Sequence, residues 1–375
     1  MKKLLKQLLG GALALTMLLT LIPAPKAKAA NVISISVNQT YSFAGEDKEG
    51  KLLSFVAPTN GYFSVSAIAT NGSDHDWSGV YVTVLNESGA QILDRFDAEV
   101  RDGKCVGAIY ATKANRQFYV KVDDKWGSDI LAYTIRVDFV SSEEWENESN
   151  DTAGAACSLQ ANQWKYGTIS YDDEADFYKF SVKKTSKVKV TFGPKEVSGN
   201  SNEWHVYIIN SYGESYTLTN SAISTEKTET LYLKKGTYYL KVTNSWNAAN
   251  VPYKLKYSAS NFSVKAPTIK KVSIKKKSYS NYRYLNYITL KKNNDVSGFS
   301  VQVAKKNNMK GKLINRDTAD VQPNSNISKT KINYTKSFYD DTLSTQKKYY
   351  TRVKAYVYDP FGAKIYGKWS KVKKA

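Results

Sequence analysis

Phe118-Tyr119-Val120-Lys121-Val122 and Tyr238-Tyr239-Leu240-Lys241-Val242 read as two renderings of one strand, and their surroundings repeat with them. Tyr110 and Lys113 precede the first as Tyr232 and Lys235 precede the second. Trp126 and Trp246 each follow the last Val by four residues, and Tyr133 and Tyr253 follow those Trp residues by seven. Upstream, Trp77 with Val80-Tyr81-Val82 and Gly89 is echoed by Trp204 with Val206-Tyr207-Ile208 and Gly213. Order and spacing kept this closely mark an internal repeat. The pair predicts two copies of one β-sandwich, roughly 31–140 and 141–260.

The rest of the chain agrees with that class. Phe63-Ser64-Val65-Ser66, Val80 to Val84 and Val188 to Phe192 alternate apolar and polar residues with period two, and Gly, Asn, Asp and Ser punctuate the runs. No segment carries a sustained helical period with caps, so the expected fold is all-β, built from sandwiches. The first thirty residues stand apart. Lys2, Lys3 and Lys6 precede an apolar run from Leu8 to Ile22, and Ala27-Lys28-Ala29 supplies the small-x-small pattern of a cleavage site, so 1–30 reads as a signal peptide. No later stretch approaches the roughly 20 apolar residues of a membrane helix. A secreted chain, extracellular or associated with the cell wall, is the expectation. Cys105 and Cys157 are too few for a disulfide framework and fall in different repeats; they read as two buried thiols or as one bridge between the copies.

Glu146-Asn147-Glu148-Ser149-Asn150-Asp151, Gly167, Asp173-Glu174-Ala175-Asp176-Phe177-Tyr178 and Gly236-Thr237-Tyr238-Tyr239 together resemble the bacterial pre-peptidase C-terminal domain. The resemblance covers the second copy directly and the first through the repeat. It implies jelly-roll-like β-sandwiches of the kind appended to secreted proteases and surface proteins, the collagen-binding domains of clostridial collagenases among them. It also implies calcium at Glu146, Glu148, Asn150, Asp151, Asp173 and Asp176. The chemistry suits that ion, since Ca²⁺ takes about 6–8 hard oxygen ligands. If 146–150 is extended, Glu146, Glu148 and Asn150 share one face. The plain alternative is a solvated acidic linker. In the first copy, aligning Phe55 with Phe180 puts Lys48 and Lys51 where Asp173 and Asp176 stand, which argues against a cation there.

The last third differs. Pro267 opens it, Gly298 to Val303 reads as a central strand, and Leu343, Tyr349-Tyr350-Thr351-Arg352-Val353-Lys354-Ala355-Tyr356 and Gly367-Lys368-Trp369-Ser370 resemble a fibronectin type III domain over 266–375. Tyr349, six residues after Leu343, stands where that fold places its tyrosine corner, and Tyr287 takes the place of the usual early Trp. Residues 265–375 hold 26 Lys and Arg against 6 Asp and Glu, a net of +20, whereas 31–264 hold 23 against 28, a net of −5. Such a basic face concentrates polyanions at low salt. The residues assigned to it are Lys275, Lys276, Lys277, Lys347, Lys348, Lys371, Lys373 and Lys374. Outside a cell the partner is anionic wall polymer, glycan or lipid headgroups before nucleic acid; the plain alternative is a set of solvated faces guarding sheet edges.

No recognisable catalytic motif stands in the sequence; a pair of carboxylates that meet only in the fold, as glycoside cleavage uses, stays open. His75 and His205 occupy comparable points of the two copies, without a Gly-x-Ser-x-Gly elbow or a His-Glu-x-x-His pair, and read as strand-edge residues. Trp126 and Trp246, placed in the loop before the last strand of each copy, read either as ligand-stacking aromatics or as hairpin packing. The expected function is a non-catalytic binding or adhesion protein of the cell surface or extracellular matrix. The alternative is the accessory substrate-binding part of a secreted protease or glycosidase system.

Overall fold

In the computed structural model, residues 32–44, 50–70, 78–125, 132–170, 173–196, 202–246, 250–276, 284–290, 296–317, 332–334 and 348–374 are described. The leader, Lys48, His75, Trp77, Trp126, Lys277, Leu343 and Lys347 lie outside them. Apart from one 3-10 turn, Val100–Asp102, every regular element among the described residues is a β-strand.

The chain forms two compact units, the first ending at Val140 and the second comprising Ser141–Ala375 with Asn60–Tyr62 and Ile109–Lys113. The first sandwich is made by β1 (Val32–Ser34), β2 (Thr40–Phe43), β3 (Lys51–Val56), β4 (Gly61–Thr70), β5 (Gly79–Leu85), β6 (Phe96–Glu99), β7 (Lys104–Val106), β8 (Tyr110–Thr112), β9 (Gln117–Lys125) and β10 (Ala132–Ser141). Its sheets run β1-β3-β9-β5-β6 and β2-β10-β4-β7. Alternation places Phe63, Val65, Phe118, Val120 and Val122 inside, between the two sheets. Each such side chain contributes about 1.5–3 kcal/mol on leaving water.

The second unit begins with the other copy: β11 (Cys157–Ser158), β12 (Lys165–Gly167), β13 (Asp176–Val182), β14 (Ser186–Pro194), β15 (Asn202–Asn210), β16 (Ser215–Ile223), β17 (Lys227–Leu233), β18 (Gly236–Trp246) and β19 (Tyr253–Asn261). Its sheets run β11-β13-β18-β15-β16 and β12-β19-β14-β17, the order of the first except for β8, which pairs with β4 there and has no counterpart among these strands. Both open with a parallel pair, β1 on β3 and β11 on β13. Even the turns match. Asn86 and Asn210 each accept two backbone N–H bonds in their side-chain oxygen, and Gly89 and Gly213 both take φ 83°, a conformation that glycine adopts without penalty.

Register makes the copies comparable residue by residue. Phe55 faces Phe118 and Lys51 faces Val122, as Phe180 faces Tyr238 and Asp176 faces Val242. Tyr133 pairs with Phe43 as Tyr253 pairs with Gly167.

The second unit also carries β20 (Ile269–Lys276), β21 (Tyr284–Leu290), β22 (Gly298–Ala304), β23 (Lys312–Asp317), β24 (Ile332–Tyr334), β25 (Tyr350–Tyr358), β26 (Lys364–Tyr366) and β27 (Lys373–Lys374). They form a β20-β21-β24 sheet and a β23-β22-β25-β26 sheet, with β27 also on β25. Every residue of β22 is buried, as befits a strand flanked on both sides, and Tyr349 is fully buried. This part packs on the second sandwich through the turn after β25: Phe361 stacks on Tyr238, ring centroids 6.2 Å apart, and Asp359 lies 3.9 Å from Lys234.

Candidate metal centre

Residues 146–150 do not join a ladder strand, so the extended-strand expectation gives way to an irregular segment that enters after a single bridge between Trp145 and Tyr166. The alternation survives. Glu146, Glu148 and Asn150 are buried, while Asn147 is half-buried and Ser149 exposed. The Glu146 N–H donates to the Tyr166 carbonyl at 2.9 Å and the Phe177 N–H to the Asn150 carbonyl at 3.0 Å, which ties the segment to both sheets of the sandwich.

Six sequence-predicted residues meet here. Carboxylate oxygens of Glu146, Glu148 and Asp176 lie within 4.8 Å of one another, and so do those of Glu148, Asp151 and Asp173. Glu148 belongs to both groups, an inner one wholly buried and an outer one in which Asp151 is exposed and Asp173 half-buried. The Asn150 amide sits among them, its nitrogen 3.3 Å from Glu146 Oε2; turned over, it would reach Glu148 and Asp176 at 3.0 Å each.

The inner carboxylates are held from beneath. Glu146 Oε1 accepts the Thr168 N–H at 2.7 Å, and its Oε2 accepts the Tyr178 hydroxyl. The Tyr178 and Tyr253 hydroxyls are 2.7 Å apart, and Tyr253 donates to Asp176. Gly167 completes the floor. A Cβ there would lie 2.5 Å from Glu146 Oε2, 2.5 Å from the Tyr178 hydroxyl and 2.6 Å from the Tyr253 hydroxyl, so the cluster occupies the space a side chain needs.

Electrostatics follow from burial. Loss of solvent pushes Glu146 up from 4.5 to about 7, against the hydrogen bonds from Tyr178 and Thr168 that favour its anion. Burial, then repulsion from neighbouring carboxylates, lifts Glu148 and Asp176 well above the usual range. Burial likewise raises the Tyr178 and Tyr253 hydroxyls, so both remain donors. Clustered buried carboxylates are costly unless protonated or paired with a cation.

The donor set is all oxygen and mostly anionic, which suits Ca²⁺ before softer metals. Glu148 Oε1 is buried with no hydrogen-bond partner among the described residues, as an oxygen reserved for an ion would be. On these two observations the residues fit the ion that the sequence suggested.

The first sandwich shows the same positions emptied of this chemistry. Register puts Lys51 at the place of Asp176, Leu53 at that of Tyr178, Phe43 at that of Gly167 and Tyr133 at that of Tyr253. Phe43 packs on Tyr133, centroids 5.3 Å apart, and the Lys51 ammonium lies 5.7 Å over the Phe43 ring. A cation stands where the second copy has Asp176, and an apolar plug where it has Gly167.

Other assigned residues are more scattered. Trp246 is the last residue of β18, opposite Glu203, and not in the following loop; the strand runs longer than its alternation suggested. His205 lies on β15, between β16 and β18, so it is not a strand-edge residue; its ring nitrogen is 3.2 Å from Glu203. Cys105 and Cys157 are free thiols, Cys157 buried and Cys105 half-buried. Lys348, Lys371, Lys373 and Lys374 are exposed, the last two paired with Thr351 and Tyr350 at the start of β25. Lys275 and Lys276 end β20, in the other sheet. Among the described residues, no helix is long and apolar enough to cross a membrane.

No known family profile matches the chain, and no curated protein matches it. Solved structures similar to it include the pre-peptidase C-terminal domain of a Bacillus anthracis collagenase, at 14% identity over 30% of this chain and 99% of that one, TM-score 0.23. The tandem CBM22 modules of Paenibacillus barcinonensis Xyn10C match at 12% identity over 60% and 92%, TM-score 0.23. The CUB1-EGF-CUB2 region of rat MASP-1 matches at 10% over 60% and 99%, TM-score 0.19.

Proposed function

We propose that this chain is a secreted, non-catalytic binding protein of the cell surface or extracellular matrix. Its basic C-terminal part, read as a fibronectin type III-like domain, tethers it to anionic wall polymer, and its sandwiches hold a protein or glycan ligand. The carrying observation is the segregation of charge, +20 in 265–375 against −5 in 31–264, together with the exposed Lys348, Lys371, Lys373 and Lys374 around the start of β25. Charge in that excess goes beyond what solubility asks of a small domain. Lysines gathered at one sheet end form a continuous electrostatic footprint.

Calcium belongs to the same reading. Glu146, Glu148, Asn150, Asp151, Asp173 and Asp176 would hold it, and the ion would neutralise buried charge and order the segment entering the second sandwich. Tyr178, Tyr253 and the Thr168 N–H orient Glu146 and Asp176 from behind.

The tether is tested by salt. Exposed charges separated by more than about 8–10 Å are screened at physiological ionic strength. Washing cells with molar salt should therefore release the chain, and retention under that wash refutes an electrostatic tether.

A further inference from the structure

The outer face of the β12-β19-β14-β17 sheet carries a second feature that the metal centre does not use. Trp164, just before β12, is half-buried with the Lys256 ammonium 4.0 Å and the Lys254 ammonium 5.1 Å from its ring centre. A cavity of about 640 Å³ lies against Trp164, lined also by Asn162, Gln160, Gln163 and the acidic Glu143 and Glu144. A second cavity, of about 320 Å³, is lined by Asn162, Lys189, Thr191, Thr228, Lys256 and Ser258. Asn162 lines both.

Sheet geometry arranges the row. Thr191 pairs with Lys256 on one side and Thr228 on the other, and the two Thr hydroxyls are 2.9 Å apart. Lys254 is committed to Glu226 at 2.8 Å. Lys189 and Lys256 have no carboxylate partner among the described residues; the Trp164 ring is what Lys256 faces. A cation above an aromatic face is held in place while its hydrogen-bonding capacity stays open.

The two cavities differ in chemistry. The larger offers an indole, three amide side chains, two carboxylates and one ammonium, that of Lys165, which donates to the Glu143 carbonyl at 2.6 Å; the set stays net negative and suits a neutral ring with hydroxyls on its rim and a C–H face to stack. The smaller offers two ammonium groups and hydroxyls, which suits a carboxylate. A polymer bearing phosphate on every unit would set negative charge against Glu143 and Glu144. A chain alternating neutral and acidic sugars would not. Nor is the groove common to the fold: register places Thr40, Thr134 and Arg136 of the first sandwich where Trp164, Lys254 and Lys256 stand.

We infer that this face binds a glycan chain of alternating neutral and uronic-acid sugars, with Trp164 as the stacking platform and Lys189 and Lys256 as the carboxylate contacts. The inference rests on the reading of the chain as a binding protein and names the ligand class of its second sandwich.

Calorimetry on the whole chain tests it, with a hyaluronan octasaccharide, the same octasaccharide with its carboxylates reduced to alcohols, and a glycerol phosphate oligomer as probes. The acidic octasaccharide should bind best, with the reduced form about tenfold weaker, the worth of one charge-assisted contact. Replacing Lys189→Gln and Lys256→Gln together should bring the acidic form down to the reduced one and leave the reduced form unchanged. Trp164→Ala should weaken both, and Trp164→Phe should restore part of the loss, which separates a stacking role from a folding defect. Absence of binding to the octasaccharide, or glycerol phosphate binding that the groove changes weaken at least as much, overturns the inference. So does binding that survives all three groove changes. If Lys371→Gln, Lys373→Gln and Lys374→Gln abolish such surviving binding instead, the binding-protein reading stands and the groove assignment alone falls.

Discussion

Replacing Gly167 by Ala is a small change with a large expected effect. The Gly167 backbone has no positive φ, so any residue can adopt its conformation, and Phe43 does so at the equivalent place in the first sandwich. The cost is therefore spatial. The new methyl would sit within 2.6 Å of three oxygens, those of Glu146, Tyr178 and Tyr253, each fixed by its bonds to the others. Overpacking of a filled core costs about 1–3 kcal/mol. Displacing Glu146 from its donors while it stays buried adds on the order of 1–2 kcal/mol. Together these give roughly 2–5 kcal/mol, which lowers the midpoint of a unit of this size by roughly 4–20 °C. Thermal unfolding followed by circular dichroism and calorimetry, with and without Ca²⁺, reads it. The double change Tyr178→Phe and Tyr253→Phe removes two of the three obstructing oxygens, so Gly167→Ala should cost at least about 1 kcal/mol less in that background. A Gly167→Ala chain melting within about 1 °C of its parent, or one whose cost is the same in both backgrounds, refutes this account of the cluster.

Further outcomes follow from the same geometry. Calcium should raise the unfolding midpoint of the second unit, by an amount equivalent to about 2.7 kcal/mol at a hundredfold excess over its dissociation constant, and Glu148→Gln should cancel the gain. No shift at about 10 mM calcium, above the range of weak extracellular sites, would remove the ion from the account. In chelator, stability should fall as pH rises from the ordinary carboxylate value of 4.5 toward and past about 7. The folded chain keeps protons on Glu146, Glu148 and Asp176 that the unfolded chain has released. Calcium should flatten that slope, and a metal-free chain that gains stability across the same window contradicts it. Phe361→Ala should separate the melting of 266–375 from that of the second sandwich, because the Phe361–Tyr238 stack is part of what joins them; a single unchanged transition counts against that coupling.

What could be read from the sequence was whatever depends on period and order. The repeated Phe/Tyr-Tyr-Val/Leu-Lys-Val strand became β9 and β18, each flanked by the same neighbours, because alternation decides which face is buried and burial decides register. The six oxygen-bearing residues of the candidate metal centre also meet, although 146–150 is not a strand; burial of every second residue needs an extended chain but not a ladder. The pairing of β2 with β10 and of β12 with β19 could not be read in advance, and with it went the exchange of Gly167 for Phe43. Nor could the length of β18, which absorbs Trp246. Trp164 gives little signal in the sequence because it sits among polar residues and has no aromatic counterpart in the first copy; its meaning comes from Lys254 and Lys256, some ninety positions on and brought alongside only by the β12–β19 pairing. A Trp two residues before a strand-forming Tyr-Gly, in a copy whose counterpart has Thr, is the signal that could have found it.

The most direct test of the central claim is sedimentation of the purified chain with Gram-positive cell walls, intact or stripped of anionic polymer. The parent would be compared with a chain carrying Lys348→Gln, Lys371→Gln, Lys373→Gln and Lys374→Gln. The parent should pellet with intact walls, stay in solution with stripped ones, and lose most of its binding when the four lysines are neutralised. Equal pelleting on intact and stripped walls, or a variant that pellets like its parent, would contradict it.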